Sequence, residues 1–119
     1  MNFLLDTSNG LTVGIAELAG RLDAQNSQEL QKAFSSWLQQ TRSLVFDCAA
    51  LDFIDSSGLG AIVGCLRKTL EKEGELKLAG LNVKVAMVFE LTQAERLFSI
   101  FTHTGDAVAS FATTQGSKN

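Results

Sequence analysis

The strongest constraint on the fold is that short apolar segments alternate with amphipathic helical patterns along the chain. Two extended segments come first, Phe3-Leu4-Leu5 and residues 11–18, and the Asn-Gly pair of Ser8-Asn9-Gly10 between them favours a hairpin turn. Helical and strand patterns then alternate along the chain, which predicts an α/β domain of order ββαβαβαβα. Because parallel strands need crossover connections, we expect a mixed, largely parallel sheet with helices packed on it.

The first two helices have clear apolar faces. Asn26 followed by Glu29 resembles a capping box, and the face behind it comprises Leu30, Ala33, Phe34, Trp37 and Leu38. The wholly apolar run 44–46 then predicts a strand covered on both faces. The second helix has an apolar face of Leu59, Ile62, Val63, Leu66 and Leu70. Gly74 is expected to end it as the C′ residue.

The C-terminal part of the chain continues the same alternation. Residues 75–79 predict a strand, Asn82 a cap for a third helix, 98–101 a short last strand and 106–111 a terminal helix. The polar residues 113–119 are predicted to form a flexible tail, which limits the domain to residues 1–112.

Composition excludes several classes of protein. A chain of 119 residues forms one domain that needs no metal or disulfide to fold, and Cys48 and Cys65 are predicted to be free core thiols. A net charge of −3 without a basic tract argues against nucleic acid as a partner. No apolar run approaches the roughly 20 residues that span a bilayer, so we predict no membrane insertion. The N-terminus lacks a basic signal-peptide region, which predicts a cytoplasmic protein.

The segment 52–60, Asp-Phe-Ile-Asp-Ser-Ser-Gly-Leu-Gly, is the most informative one for function. It lies between a strand and a helix, where backbone N–H groups are free to receive an anion. A hydroxyl there can cap the helix, act as a nucleophile or carry a phosphate. The glycines do not match a dinucleotide-binding loop, because the third glycine position holds Val63, and no Gly-Lys-Ser/Thr phosphate loop is present.

Catalysis is disfavoured by the residues that are missing. A serine nucleophile needs a base, and the single imidazole, His103, lies near the last strand. The Gly-x-Ser-x-Gly elbow of hydrolases is also absent, because Ile54 stands at its first position. We therefore predict no catalytic residue, no cofactor and no metal. A simple helix cap would explain one residue of Asp55-Ser56-Ser57-Gly58, but not two hydroxyls together with an acid and two glycines.

Residues 47–60 resemble the signature of STAS domains, the sulfate-transporter and anti-sigma factor antagonist family, and specifically its stand-alone bacterial anti-sigma factor antagonists. Gly20-Arg21-Leu22-Asp23 is similar to the Gly-x-Leu-Asp turn of that family before the first helix. Phe89-Glu90-Leu91-Thr92, with Leu97-Phe98 and Ile100-Phe101, resembles its C-terminal pattern. The resemblance covers nearly the whole chain.

The resemblance implies a phosphorylation switch at Ser57. In the family, the partner anti-sigma factor is a serine kinase that phosphorylates the second serine of Asp-Ser-Ser-Gly. The unphosphorylated antagonist binds this kinase and so releases a sigma factor, the phosphorylated one does not bind, and a serine phosphatase resets the switch. Asp55 would orient the loop or contact the kinase, and Ser56 would cap the helix or hydrogen-bond locally. The partner-binding residues implied in this way are Asp23, Asp55, Ser56, Gly58, Leu59 and Gly60.

The residues leave two other functions open. The chain could be a non-switching STAS adaptor or sensor module in a larger complex, of a stress-sensing or lipid-transport type, or a small hydrolase, which the missing base disfavours. Phosphorylation of Ser57 by a co-encoded kinase would separate the switch from the adaptor. We expect a monomer or a weak dimer.

Overall fold

The computed structural model describes residues 1–8 and 10–116, with side-chain surroundings through residue 111. The predicted order of elements is confirmed, with one added 3-10 turn. The elements are β1 (Asn2–Asp6), β2 (Val13–Leu22), α1 (Ser27–Gln40), β3 (Ser43–Ile54), α2 (Ser56–Glu71), β4 (Glu75–Ala79), α3 (Val83–Leu91), the 3-10 turn (Ala94–Leu97), β5 (Ile100–Phe101) and α4 (Thr104–Gly116).

The five strands form one mixed sheet in the order β1-β2-β3-β4-β5. Strand β1 is antiparallel to β2, with Leu4 opposite Ile15, and all later pairs are parallel, as the sequence predicts. Gly10 has the positive φ expected of the hairpin turn, at 81°, while Asn9 lies outside the described residues. Since each parallel pair is joined through a helix, the carboxyl ends of β2, β3 and β4 meet at one edge of the sheet.

Helices cover both faces of the sheet. The larger core lies under α1, α2 and α3 and includes an aromatic cluster. In this cluster Phe3 stacks on Trp37 with ring centres 5.0 Å apart, and Phe34 contacts Phe46 edge-on with ring centres 5.6 Å apart. The apolar face predicted for α1 is confirmed by the burial of Leu30, Phe34 and Trp37. A smaller core lies under α4, comprising Val13, Ile15, Val45, Ala79, Ala107, Val108 and Phe111.

One cation is buried at this second face. Lys77 of β4 is almost inaccessible, and its Nζ lies 2.6 Å from the Ser110 Oγ of α4 and 4.1 Å from the ring centre of Phe111. A charge in such a site is tolerated because it has a hydrogen-bond partner and an aromatic face. Lys77 therefore helps to hold α4 against the sheet.

Strands β2 and β3 are longer than the sequence predicts. Gly20-Arg21-Leu22 is not a turn but the end of β2, and β3 runs through Ile54 rather than ending at 46. The two extensions pair with each other, Leu22 lying beside Ile54, across register irregularities. Gly20 has a φ of 72° beside one irregularity, a conformation that favours glycine. Mutual pairing therefore outweighs the turn-like composition of each segment.

Two of the predicted helix ends are wrong in detail. Asn26 is the N-cap of α1, but its side chain caps nothing, since its Oδ1 accepts from the Asp23 N–H at 2.9 Å. At the end of α2 the residue with positive φ is Glu73, at 59°, and not Gly74. Gly74 is needed for a different reason, because a Cβ there would lie 2.4 Å from the carbonyl oxygen of Arg42.

The remaining elements agree with the sequence to different degrees. Asn82 caps α3 as predicted, accepting from the Val85 N–H at 2.8 Å. Leu70, which the helical periodicity predicts on the buried face of α2, is largely exposed. Helix α4 is longer than predicted and includes residues 113–116, which the sequence predicts as part of the tail, whereas 117–119 lie outside the described residues.

Cys48 and Cys65 are free and buried, as predicted. Burial raises the pKa of each thiol to about 12, which suppresses the thiolate form that acts as nucleophile or metal ligand. Among the described residues, no helix is long and apolar enough to cross a membrane, and no cluster of side chains could hold a metal ion.

Candidate functional site

Asp55 begins helix α2 and shapes the junction with β3. Its backbone is extended (φ −110°, ψ −172°), and its Oδ1 accepts from the N–H of Gly58 at 2.9 Å. Its carbonyl oxygen accepts from the N–H of Leu59, also at 2.9 Å, which closes the first helical turn. Asp55 is therefore the N-cap, and the prediction that Ser56 caps the helix is wrong.

Ser56 and Ser57 are the first two residues of α2, and both are exposed. In the described part of the chain, neither their hydroxyls nor their backbone N–H groups have an intramolecular hydrogen-bond partner. Two unengaged amides at the positive end of a helix form a favourable environment for an anion. The site thus offers two accessible hydroxyls where added negative charge is tolerated.

The Asp23 loop lies beside this junction. The N–H of Asp55 donates to the carbonyl oxygen of Leu22 at 3.3 Å, which ties the two strand ends together. The carboxylate of Asp23 is mostly shielded, accepts from the N–H of Gln25 at 3.0 Å and lies 3.5 Å from the Nε of Arg21. Asp23 therefore stabilises its own turn, and its direct contact with a partner remains a prediction.

The three residues after Ser57 have different surroundings in the structure. Gly58 is buried, and a Cβ on it would lie 2.2 Å from the carbonyl oxygen of Leu22. The absence of a side chain at Gly58 therefore lets β2 pack against α2, and the prediction that Gly58 contacts a partner is corrected. The Leu59 side chain is also buried in the larger core, so it cannot serve as a contact. Gly60 is exposed with open space around it, and it stays a candidate for close approach of a partner.

Sequence reasoning did not single out the pair formed by Arg21 and Phe53. The Arg21 guanidinium lies 3.9 Å from the centre of the partly exposed Phe53 ring, because these residues are register neighbours on β2 and β3. Arginine and aromatic side chains are enriched among the residues that dominate protein interfaces. The available signal was an aromatic residue two positions before the N-cap.

Sequence reasoning also missed an apolar surface on α3. Val83, Met87 and Leu91 recur every four residues, and they are 78%, 50% and 79% exposed. Helix α3 starts at the same sheet edge as α2, since each follows one of two neighbouring parallel strands. The Nδ2 of Asn82 donates to the carbonyl oxygen of Leu51 at 3.0 Å, which fixes this start beside β3. Exposed apolar groups that neighbour one another on a helix are one feature of protein contact surfaces.

The single imidazole does not complete a catalytic group around the serines. His103 is exposed just before α4, after strand β5, which is separated from β3 by β4.

Comparison with known proteins adds independent findings. The family model for the STAS domain matches residues 4–107. The chain is 28% identical over 114 residues to the putative anti-sigma factor antagonist BtrV of Bordetella bronchiseptica, covering 95% of this chain and 97% of that protein. It is 26% identical over 101 residues to an anti-sigma-B factor antagonist of Staphylococcus aureus, covering 84% of this chain and 94% of that protein.

Solved structures share the same fold. A putative anti-sigma factor antagonist from Thermotoga maritima superposes with a TM-score of 0.79 at 24% identity, covering 91% of this chain and 92% of that one. Unphosphorylated SpoIIAA superposes with a TM-score of 0.67 at 20% identity, covering 94% of this chain and 98% of that one. The phosphorylated form of Bacillus SpoIIAA gives a TM-score of 0.68 at 19% identity, covering 92% of this chain and 99% of that one. The chain belongs to the STAS domain family.

Proposed function

We propose that this protein is an anti-sigma factor antagonist whose binding to an anti-sigma factor is controlled by phosphorylation of Ser57. Unphosphorylated, it binds the anti-sigma factor, a serine kinase, and so frees a sigma factor for transcription. Phosphorylated, it is released, and a serine phosphatase restores the binding form. The protein itself catalyses nothing. The relatives named as antagonists support this role, since they match over nearly their whole length.

The observation that carries the proposal is the free, exposed Ser57 hydroxyl at a capped helix start. A kinase must reach the hydroxyl without unfolding the protein, and Asp55 holds the first turn of α2 without using either serine. A phosphate adds about −1.5 to −2 charges at pH 7. The unengaged amides and the helix dipole offset part of that charge, by typically 0.3–1 kcal/mol. The fold is therefore expected to survive modification.

The two SpoIIAA structures are consistent with such a switch. This chain superposes almost equally well on the unphosphorylated and the phosphorylated forms, with TM-scores of 0.67 and 0.68. Both scores report the same fold, so phosphorylation of Ser57 is compatible with an unchanged fold in this proposal. The phosphate would then act directly on the partner.

The surroundings of Ser57 suggest how the phosphate would prevent binding. The side chains of Asp52 and Asp55 already make this edge acidic, while Arg21 is paired with Asp23. A dianion on Ser57 would add to this charge and occupy the space that a partner backbone needs beside Gly60. Loss of binding then results from repulsion and steric exclusion together.

The contact surface would extend beyond the serine loop. The Arg21–Phe53 pair lies at the same edge of the sheet as Ser57. Helix α3, which carries the exposed apolar residues Val83, Met87 and Leu91, begins at that edge. A partner that covers all three features would bury aromatic and aliphatic groups around a central modifiable hydroxyl. Such a surface suits a protein partner better than a small molecule.

The test is to incubate the protein with the serine-kinase anti-sigma factor encoded in the same genome and ATP, and to map phosphate by mass spectrometry. Ser56→Ala is the matched control, because the neighbouring Ser56 is also exposed and its hydroxyl also makes no hydrogen bond. We expect phosphate on the wild type and on Ser56→Ala, and none on Ser57→Ala. Ser57→Ala should still bind the kinase.

A charge-mimicking variant tests the mechanism separately. Ser57→Asp should weaken kinase binding at least about tenfold, which corresponds to about 1.4 kcal/mol. Ser36→Asp makes the same charge change at an exposed position of α1 and should leave binding unchanged. Tight binding by Ser57→Asp would contradict the repulsion mechanism. Absence of both phosphate on Ser57 and a complex would favour the non-switching adaptor.

A further inference from the structure

The first strand, β1 (Asn2–Asp6), is an unprotected edge of the sheet. It pairs with β2 in continuous antiparallel register, whereas the irregularities of the sheet lie between β2 and β3. An edge strand presents backbone N–H and C=O groups that another strand can pair with, and proteins usually block this with lysine, proline, bulges or a very short strand. The opposite edge, β5, is blocked in this way, being two residues long.

Strand β1 has none of these protective features. Its sequence is Asn-Phe-Leu-Leu-Asp, with no lysine, proline or bulge, and a single charge at its end. Leu4 and Leu5, which point to opposite faces of the sheet, are 50% and 45% exposed. The edge is thus regular in register, apolar at its centre and partly exposed on both faces.

We propose that β1 pairs antiparallel with β1 of a second copy of this chain, which joins the two sheets into one of ten strands. A two-fold axis through Leu4 places Leu4 opposite Leu4 of the second copy, and Phe3 opposite Leu5. It also places Asn2 opposite Asp6 at both ends, so that an amide meets a carboxylate and no like charges face each other. The self-complementary sequence is what favours a second copy over an unrelated strand.

The dimer leaves the Ser57 site open. Strand β1 lies along residues 13–17 of β2, and that strand continues for five more residues before it reaches the serine loop. At about 3.3 Å per residue, the two regions are roughly 17 Å apart along the strand. A dimer would therefore carry two independent docking sites, and this inference does not depend on the proposed function.

The interface is small, so the dimer should be weak and visible only as a function of concentration. Sedimentation velocity of the full chain from about 10 µM to about 1 mM should show a rising mean sedimentation coefficient. Leu4→Lys places two ammonium groups opposite each other and should weaken association at least about tenfold. Leu97→Lys, at another exposed leucine on the 3-10 turn, should leave it unchanged.

The register can be tested directly by disulfide crosslinking. Directly opposed residues of antiparallel strands have Cα atoms about 4.5 to 5.5 Å apart, within the range a disulfide spans. Leu4→Cys should crosslink to itself with oxidised glutathione, whereas Leu97→Cys and the wild type, whose two cysteines are buried, should not. A thermal melt of each variant confirms that it is folded.

A charge exchange provides the second measurement. Leu4→Lys and Leu4→Glu should each remain monomeric alone, while a mixture of the two should form a heterodimer, because unlike charges then face each other. A wild-type chain that stays monomeric to about 1 mM would overturn the proposal. So would crosslinking of Leu4→Cys no faster than that of Leu97→Cys.

Discussion

Replacing Gly58 by alanine should destabilise the protein, although alanine is normally the better helix residue. The new Cβ would lie 2.2 Å from the carbonyl oxygen of Leu22 and 3.0 Å from the Cγ1 of Ile54. A carbon and an oxygen normally approach to about 3.3 Å at closest. Helix α2 and the end of β2 must therefore separate by about 1 Å, and the Asp55 N–H to Leu22 hydrogen bond lengthens.

The size of the effect follows from opposing contributions. Overpacking costs typically about 1–3 kcal/mol, and weakening the hydrogen bond about 1 kcal/mol more. Better helix propensity returns about 0.5–1 kcal/mol. We expect Gly58→Ala to lower the free energy of unfolding by about 1–3 kcal/mol, and to lower the melting temperature by about 4 °C or more.

Gly60→Ala is a matched control two residues further along the same helix. A Cβ there meets nothing within 4 Å, so only the propensity gain of about 0.5–1 kcal/mol remains, and the variant should be more stable than the wild type. Urea unfolding of the three proteins measures both differences. If Gly58→Ala proved as stable as Gly60→Ala, the close approach of β2 to α2 would be wrong. A loss of kinase binding by the stable Gly60→Ala would support Gly60 as a partner contact.

Two further predictions concern stability. Asn82→Ala removes the cap on the Val85 N–H and the hydrogen bond to the Leu51 carbonyl oxygen. It should lower the free energy of unfolding, measured by thermal melting, by about 1–2 kcal/mol. Asn82→Ser keeps the cap and should lose less stability. The pKa values of Cys48 and Cys65, raised to about 12 by burial, imply that their contribution to stability is complete below the ordinary thiol pKa near 9. This contribution is lost as the pH rises toward 12, because the thiols of the unfolded chain ionise first. The free energy of unfolding then falls by up to about 1.4 kcal/mol per pH unit for each thiol. Urea unfolding between pH 8 and 10.5 should show this slope, and the double Cys→Ala variant should show a smaller one.

The sequence alone determined the α/β architecture, because each element carries its own periodic signal. The α1 face of Leu30, Phe34 and Trp37 repeats at helical spacing, and the run 44–46 is apolar without interruption. These signals are local, so they can be read without knowing what the elements contact. The Asp-Ser-Ser-Gly junction is local in the same sense, since the cap, the two hydroxyls and the start of α2 occupy consecutive residues.

Only the tertiary structure decided which residues around Ser57 face solvent and which face the protein. Gly58 and Gly60 look alike in the sequence, but β2 packs against the first and leaves the second open. Arg21 stacks on Phe53 because β2 and β3 extend past their apolar segments and meet. The physical reason is that such contacts join residues some thirty positions apart, whose proximity depends on strand pairing that no local pattern encodes.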